Sequence, residues 1–361
     1  MSRRLLTDDP CFAASDVAQA LAACPLGFVD VGARGGVQSH VDAIAPLAAV
    51  LAFEPDAEAV PAVRQSLMAG WQRADVEPVA LGDRDGIGTL HLFASGMNHS
   101  LLPAAPRFRT RYAVGSLADV GSVSVTLNTL DTVLFGHREA EPFWGELLKL
   151  DVQGAELGLL SAAPRTLAER AVTVIAEVCF LDIYQDQPKF SELEQFLRSR
   201  GFTFYGFLSL QGWSQKYLDK RTTEGRERLC FGDAVFFKDP RESDDPSIAL
   251  RHWQVLYVTS LLLGFVDFAI EVASHAPVSD EEAQRLVSAA VRWSRRGVGD
   301  AITEVQALLA QIQAEPEAAR LHLGRFVDAR RSLADVSDAL LPRRAIQRPN
   351  GTVLSLPTDE G

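Results

Sequence analysis

The feature that most restricts the fold is a series of short apolar runs, each nearly unbroken, in the first two thirds of the chain. They are Gly27-Phe28-Val29-Asp30-Val31, Val50-Leu51-Ala52-Phe53, Val76 to Leu81, Leu147 to Val152 and Val172 to Val178. A strand with one wet face alternates apolar and polar residues, whereas a run apolar at almost every position is covered on both faces. Helical patterns lie between the runs, at about 37–46, 57–70, 155–169 and 190–200. Strand and helix alternating in this way specify an α/β, doubly wound fold around a mostly parallel sheet.

Two regions break the rhythm. Residues 83–135 contain Thr89 to Phe93 and Val123 to Leu127, which alternate as half-exposed strands do, with an Asn/Ser/Pro/Arg-rich loop, 95–118, between them. Residues 201–240 contain Gly201 to Tyr205 and Asp233 to Phe237, which fit a late antiparallel pair closing the sheet. After the polar stretch 239–246 the strand signals stop, and apolar residues such as Ile302, Val305, Leu309 and Ile312 recur at helical spacing. Pro277 and Gly297 read as breaks between helices. The expected division is a helical lead-in at 1–24, an α/β domain at 25–240, a helical C-terminal region at 247–341 and a flexible tail at 342–361 rich in Pro, Arg and Gly.

Charge and cysteine content narrow the partners. Acidic residues exceed basic ones, 47 to 35, for a net charge of -12, and a nucleic-acid binder normally presents a basic face. The four cysteines (Cys11, Cys24, Cys179 and Cys230) form no C-x-x-C pair and suit a reducing cytoplasm. The N-terminus has two arginines but no long apolar core behind them, so no signal peptide is expected. The most membrane-like stretch, Trp253 to Ala273, is interrupted by Asp267 and Glu271 and reads as a buried helix rather than a transmembrane segment. Trp253, Leu256, Tyr257, Leu261, Leu263 and Phe265 are too apolar to stay exposed. They are expected to pack on the α/β domain or across a homodimer interface.

In an open parallel sheet, ligands bind beyond the carboxyl ends of the strands. Asp30, Asp151 and Glu177 stand at or near such ends, and Glu54 directly follows another. Four carboxylates in such places point to a ligand cleft, because buried strand ends disfavour unpaired charge. The turn Gly32-Ala33-Arg34-Gly35-Gly36 allows close backbone approach to a ligand, and a following helix would offer free N–H groups. Glu54 comes 22 residues after Gly32, a spacing that fits a side chain accepting from ribose hydroxyls. The turn lacks G-x-G-x-x-G, so a nucleoside cofactor without a pyrophosphate is favoured.

These segments also resemble a known family. Phe28 to Gly36, Phe53-Glu54-Pro55-Asp56 and Leu148-Lys149-Leu150-Asp151-Val152-Gln153-Gly154-Ala155-Glu156 are similar to motifs of the FkbM family of S-adenosylmethionine-dependent methyltransferases. Val76 to Asp83, Asn128 to Asp131 and Ile175 to Val178 also fit. The likeness covers about 25–238 and not the C-terminal helices, and Arg34 and Gln153 replace the Asn and Glu that members often carry. The resemblance implies a class I methyltransferase (Rossmann-like) fold, with seven strands and the last inserted antiparallel. It implies that the first turn, with Asp30, Gly32, Ala33 and Gly35, holds the cofactor, Asp30 and Gly32 lying beside its methionine part. Glu54 would take the ribose, and Ala80 and Leu81 would flank the adenine, with Asp83 beside them. It also implies O-methylation of a glycan, sugar or related polyol, or another small-molecule acceptor.

A hydroxyl is a weak nucleophile, so a base is expected; the candidates are Asp151, Glu177 and His99. Asp182 and Tyr184 follow the fifth run and are placed to touch an acceptor. Asp151 and Glu177, ending neighbouring strands, could hold a divalent cation. A metal-free site is favoured because no third ligand is evident. Two other readings compete: a nicotinamide-dependent oxidoreductase, and a non-catalytic methyltransferase-like assembly module.

Overall fold

The computed structural model describes residues 5–37, 39–67, 70–223, 225–243, 248–295, 298–331 and 344–357. The lead-in forms two short helices, α1 (Pro10–Ala13) and α2 (Asp16–Ala23). Strands β1 (Leu26–Val31), β2 (Ala48–Phe53) and β3 (Arg73–Glu77) follow, with α3 (Val60–Ser66) between the last two. The insert contributes β4 (Ala80–Leu81), β5 (Gly86–Phe93), α4 (Pro106–Tyr112) and β6 (Asp119–Asn128). The chain then returns to the main sheet as β7 (Leu147–Leu150), α5 (Glu156–Ser161), α6 (Pro164–Glu169), β8 (Thr173–Cys179) and α7 (Phe190–Arg198). It ends the sheet with β9 (Thr203–Trp213) and β10 (Arg228–Phe237).

Seven strands form the main sheet in the order β3-β2-β1-β7-β8-β10-β9. All pairs are parallel except those of β10, which runs antiparallel to both β8 and β9. This is the order and the single reversed strand of the class I methyltransferase fold. The strand order reverses between β1 and β7, so the crevice at their carboxyl ends is the switch point. A smaller sheet, β4-β6-β5, lies beside it. Leu90, Phe93 and Leu127 are buried while Ile87, Val120 and Val123 are exposed, so both strands are half-exposed but without the strict alternation expected.

Some local expectations change. Residues 39–47 form a 3-10 segment with Pro46 inside it, not an α-helix. The stretch 95–118 is not only loop: it holds α4, whose Phe108 packs edge-on to Trp213 of β9 at 5.4 Å.

Beyond the sheet come α8 (Leu250–Leu262), α9 (Val266–His275), α10 (Asp280–Ser294), α11 (Val298–Ala314) and α12 (Ala319–Arg331). Pro277 falls between α9 and α10, and Gly297 lies outside the described residues. Every residue of α8 from Gln254 to Leu262 is buried, which marks an interior helix. One core cluster joins Phe28, Val50 and Ile175 of the sheet to Leu256 of α8, Val272 of α9 and Leu286 of α10. The other sheet face packs against α5, α6 and α7. Leu256, Tyr257, Leu261 and Leu263 are thus covered within the chain, with Trp253 and Phe265 packed against the same core, which leaves this group for no dimer interface. Among the described residues no helix is long and apolar enough to cross a membrane.

The tail reading needs correction for residues 344–357. They carry a hairpin, β11 (Ile346–Gln347) and β12 (Val353–Leu354). Arg348 is buried and donates to the carbonyls of Ala276 and Val278 and to Asp280. Composition suggested a loose segment because it does not reveal where one arginine finds three acceptors.

Candidate active site

A cavity lies at the switch point, lined by the ends of β1, β2 and β7, by β4, and by the 96–101 part of the insert. Phe53, Val79, Ala80, Leu81, Leu90 and Leu101 make an apolar slot in it. Of the residues singled out from sequence, Gly32, Glu54, Ala80, Leu81, His99 and Asp151 line this space. Asp30, Ala33, Gly35 and Glu177 do not. Asp83 is exposed and pairs with Arg84, and Asp182 is exposed and pairs with Lys189.

The first turn is built for packing as much as for a ligand. Gly32 has φ +82, and a Cβ there would stand 2.0 Å from the Asp151 carbonyl oxygen. A glycine is therefore required where the β1 and β7 turns cross. The N–H groups of Gly32 and Ala33 both donate to the Phe53 carbonyl, at 3.1 and 3.2 Å. Ala33 is wholly buried and serves the turn from inside. Gly35 is exposed, with Met97 of the insert over it. A 3-10 segment rather than an α-helix follows the turn.

Glu54 is buried at the end of β2, and its Oε1 accepts from the Asp56 N–H at 2.8 Å. Burial raises its pKa. Arg34 also lines the cavity and pairs with Asp56 at 2.8 Å.

His99 accepts at Nδ1 from the Phe93 N–H, at 3.2 Å. Burial and the nearby Arg34 lower its pKa. A neutral ring whose Nδ1 lone pair is engaged carries its proton on Nε2. In this arrangement His99 offers the cavity a donor, not a base.

The carboxylates beyond β7 and β8 are joined by a residue that sequence reading gave no role. Gln153 donates through Nε2 to Asp151 Oδ1 at 2.7 Å and to Glu177 Oε2 at 3.0 Å. The Tyr184 hydroxyl lies 2.8 Å from Gln153 Oε1 and 2.9 Å from the Asn98 carbonyl, as donor to either. Lys149 reaches Asp151 Oδ2 at 2.9 Å, and its own pKa is raised by Asp151, Asp30 and Asp233 against the cost of burial. Glu156 folds back to accept from the Val152 and Gly154 N–H groups, and burial pushes it up to about 7. Glu177 is raised well above the ordinary carboxylate range by burial first, then by Asp151, Glu156 and Asp233. Asp233 sits opposite Glu177 on β10 and accepts from the Ser209 hydroxyl at 2.7 Å. Among the described residues no group of three or more His, Cys, Asp or Glu is arranged to hold a metal.

The sheet is mostly parallel with one reversed strand, an acidic residue closes β2, and the cavity lies at the switch point, which makes this an α/β protein of the doubly wound class. Residues 30–204 match the model of the methyltransferase FkbM domain. No curated protein matches the sequence significantly. Solved structures with some likeness include magnesium protoporphyrin IX methyltransferase from Synechocystis PCC 6803 with bound SAM. It is 12% identical over 62% of this chain and 78% of that one, with a TM-score of 0.29. A putative RNA methyltransferase from Pyrococcus horikoshii is 14% identical over 62% and 80%, with a TM-score of 0.28. The 1,6-didemethyltoxoflavin-N1-methyltransferase of Burkholderia thailandensis, with 1,6-didemethyltoxoflavin and S-adenosylhomocysteine bound, is 12% identical over 63% and 81%, with a TM-score of 0.28. At that distance these three say nothing of substrate, and the fold assignment rests on the strand order.

Proposed function

We propose that the chain is an S-adenosylmethionine-dependent O-methyltransferase acting on a hydroxyl of a glycan, sugar or related polyol. The observation that carries this reading is the switch-point cavity, with its apolar slot, one cation (Arg34) and two carboxylates (Glu54 and Asp151). A ligand bearing a sulfonium, an ammonium and a carboxylate complements that wall in charge. The slot suits an adenine ring, and Glu54 suits ribose hydroxyls. The cofactor, when bound, supplies a methyl group on a positively charged sulfur that leaves readily.

The chain must orient the acceptor oxygen and receive one proton. Glu177 is the base in this reading: it lies behind Gln153 of the cavity wall, and burial and the neighbouring carboxylates raise its affinity for a proton. Asp151, in contact with Lys149, orients the acceptor, and His99 donates a hydrogen bond at Nε2. An amide group, that of Gln153, lies between the two carboxylates where a cation would otherwise be sought, so the reading uses no metal. The glycan or polyol acceptor rests on the family resemblance. Cytoplasmic placement rests on four cysteines that form no disulfide.

The nicotinamide reading has less support, because the first-turn N–H groups that would meet a pyrophosphate are bonded to the Phe53 carbonyl. Thermal unfolding with each cofactor separately tests the choice. Adenosylmethionine is expected to raise the midpoint and NAD to leave it unchanged; the reverse would overturn the proposal.

A further inference from the structure

We infer that Gln153, locked by Tyr184 and Ser100, is a positioning residue that holds Asp151 and Glu177 side by side, with the carboxylate of Glu177 open to receive a proton. The inference deepens the methyl-transfer reading and rests on it for the meaning of that proton.

Gln153 is one of four described non-glycine residues with positive φ, at +56. Such a conformation costs on the order of 1 kcal/mol and persists only where surrounding contacts fix it. Here they fix it from three sides. The Ser100 hydroxyl donates to the Gln153 carbonyl at 2.7 Å. Tyr184 contacts Oε1, and a phenol can only donate to a carbonyl oxygen, so the amide is oriented with its NH2 toward the carboxylates. The two NH2 hydrogens match the two acceptors, Asp151 Oδ1 and Glu177 Oε2. Two neighbouring carboxylates disfavour joint ionisation. A neutral group donates to both, and Lys149 donates to Asp151. Among the described residues no cation makes a hydrogen bond to Glu177, which accepts from Gln153.

Every charged neighbour of Glu177 enters this balance. Lys149 acts on it from β7, Asp151 from just beyond β7, Glu156 from the start of α5, and Asp233 from β10. Cys179 on its own strand, Tyr184 after it and Cys230 on β10 also feel its charge. His40 of the 3-10 segment is in turn affected by Asp233. All but Lys149 and His40 are acids, so the two amide hydrogens are the neutral contribution that favours the ionised form.

The test is carbon-13 NMR titration of the glutamate side-chain carboxyls in the full-length protein without cofactor, with Glu177 assigned through Glu177→Gln. Gln153→Met removes the donors while keeping the stem, and the Glu177 midpoint should rise by about one to two pH units. Tyr184→Phe removes only the lock and should move it less, in the same direction. A merely structural role for Gln153 would lower thermal stability and leave the midpoint in place. An unmoved midpoint in folded Gln153→Met overturns the inference. Should that variant not fold, an unmoved midpoint in Tyr184→Phe does so. Adenosylmethionine binding, measured separately by calorimetry, keeps the two questions apart. A shifted midpoint in a protein that binds no adenosylmethionine would overturn the methyl-transfer reading and, with it, the assigned purpose of the proton.

Discussion

Removing the guanidinium of Arg251 should destabilise the protein strongly at high pH and much less at low pH. Glu146, just before β7, is buried, and Arg251 of α8 grips it with two bonds, Nε to Oε1 at 2.6 Å and Nη2 to Oε2 at 2.7 Å. Glu146 also accepts from the Gly27 N–H at 3.0 Å, while Arg251 donates to the Cys24 and Pro25 carbonyls at 2.8 and 2.7 Å. The pair therefore ties the first C-terminal helix to the entrances of β1 and β7. Arg251→Met keeps the apolar stem and leaves a buried carboxylate with one neutral donor. Breaking a buried pair from one side costs about 3–5 kcal/mol. Burial already raises the Glu146 pKa above its ordinary 4.5 despite the arginine. A raised acid favours folding below its unfolded pKa, and that contribution is lost as pH rises through the folded value. Loss of the arginine raises the folded value further. The penalty should be full at pH 8 and shrink by up to about 1.4 kcal/mol per unit as Glu146 protonates on going toward pH 5. Urea unfolding of the wild type, Arg251→Met, Glu146→Gln and the double variant, at both pH values, measures this. The double variant should recover much of the loss, since glutamine still accepts from Gly27. A cost below about 1 kcal/mol at pH 8, or an equal cost at pH 5, would refute the reasoning.

Three further outcomes are expected. Gly32→Ala should lower the unfolding midpoint and the yield of folded protein, because its Cβ would meet the Asp151 carbonyl at 2.0 Å; a fully stable variant would show that the turn can relax. Truncation after Pro240 should give aggregating protein, since it strips α8–α10 from a sheet face carrying Phe28, Val50 and Ile175; a soluble monomeric product by light scattering would contradict this. Manganese titrated into the protein should give no saturable heat, whereas saturable binding abolished by Asp151→Asn would put a cation in the site.

The main sheet was legible because its central strands are buried on both faces and so write unbroken apolar runs. Their ends were legible too: Asp30, Glu54, Asp151 and Glu177 are charges in places where burial disfavours charge. What the runs do not encode is direction within the turns. Gly32 reads as a site for close approach, and it is one, but the approaching atom is the Asp151 carbonyl. His99 reads as a base until the Phe93 N–H is found on its Nδ1. Gln153 was visible inside the motif around Asp151, yet its role depends on a left-handed backbone and on Tyr184, which is 31 residues away in sequence. The helical spacing of α8–α10 announced apolar faces without naming their partner, which is the sheet. Pro46 was the available sign that 39–47 would not form a regular α-helix.

The most direct test of the account is calorimetric titration of the protein with S-adenosylhomocysteine, comparing the wild type with Glu54→Gln and Leu81→Trp. The account predicts saturable one-to-one binding to the wild type. Glu54→Gln should weaken it by roughly 10- to 100-fold, as expected when a charged hydrogen-bond acceptor becomes neutral. Leu81→Trp should abolish it by filling the apolar slot. Absence of binding to the wild type, or equal affinity in all three proteins, would contradict the assignment of the switch-point cavity as the cofactor site.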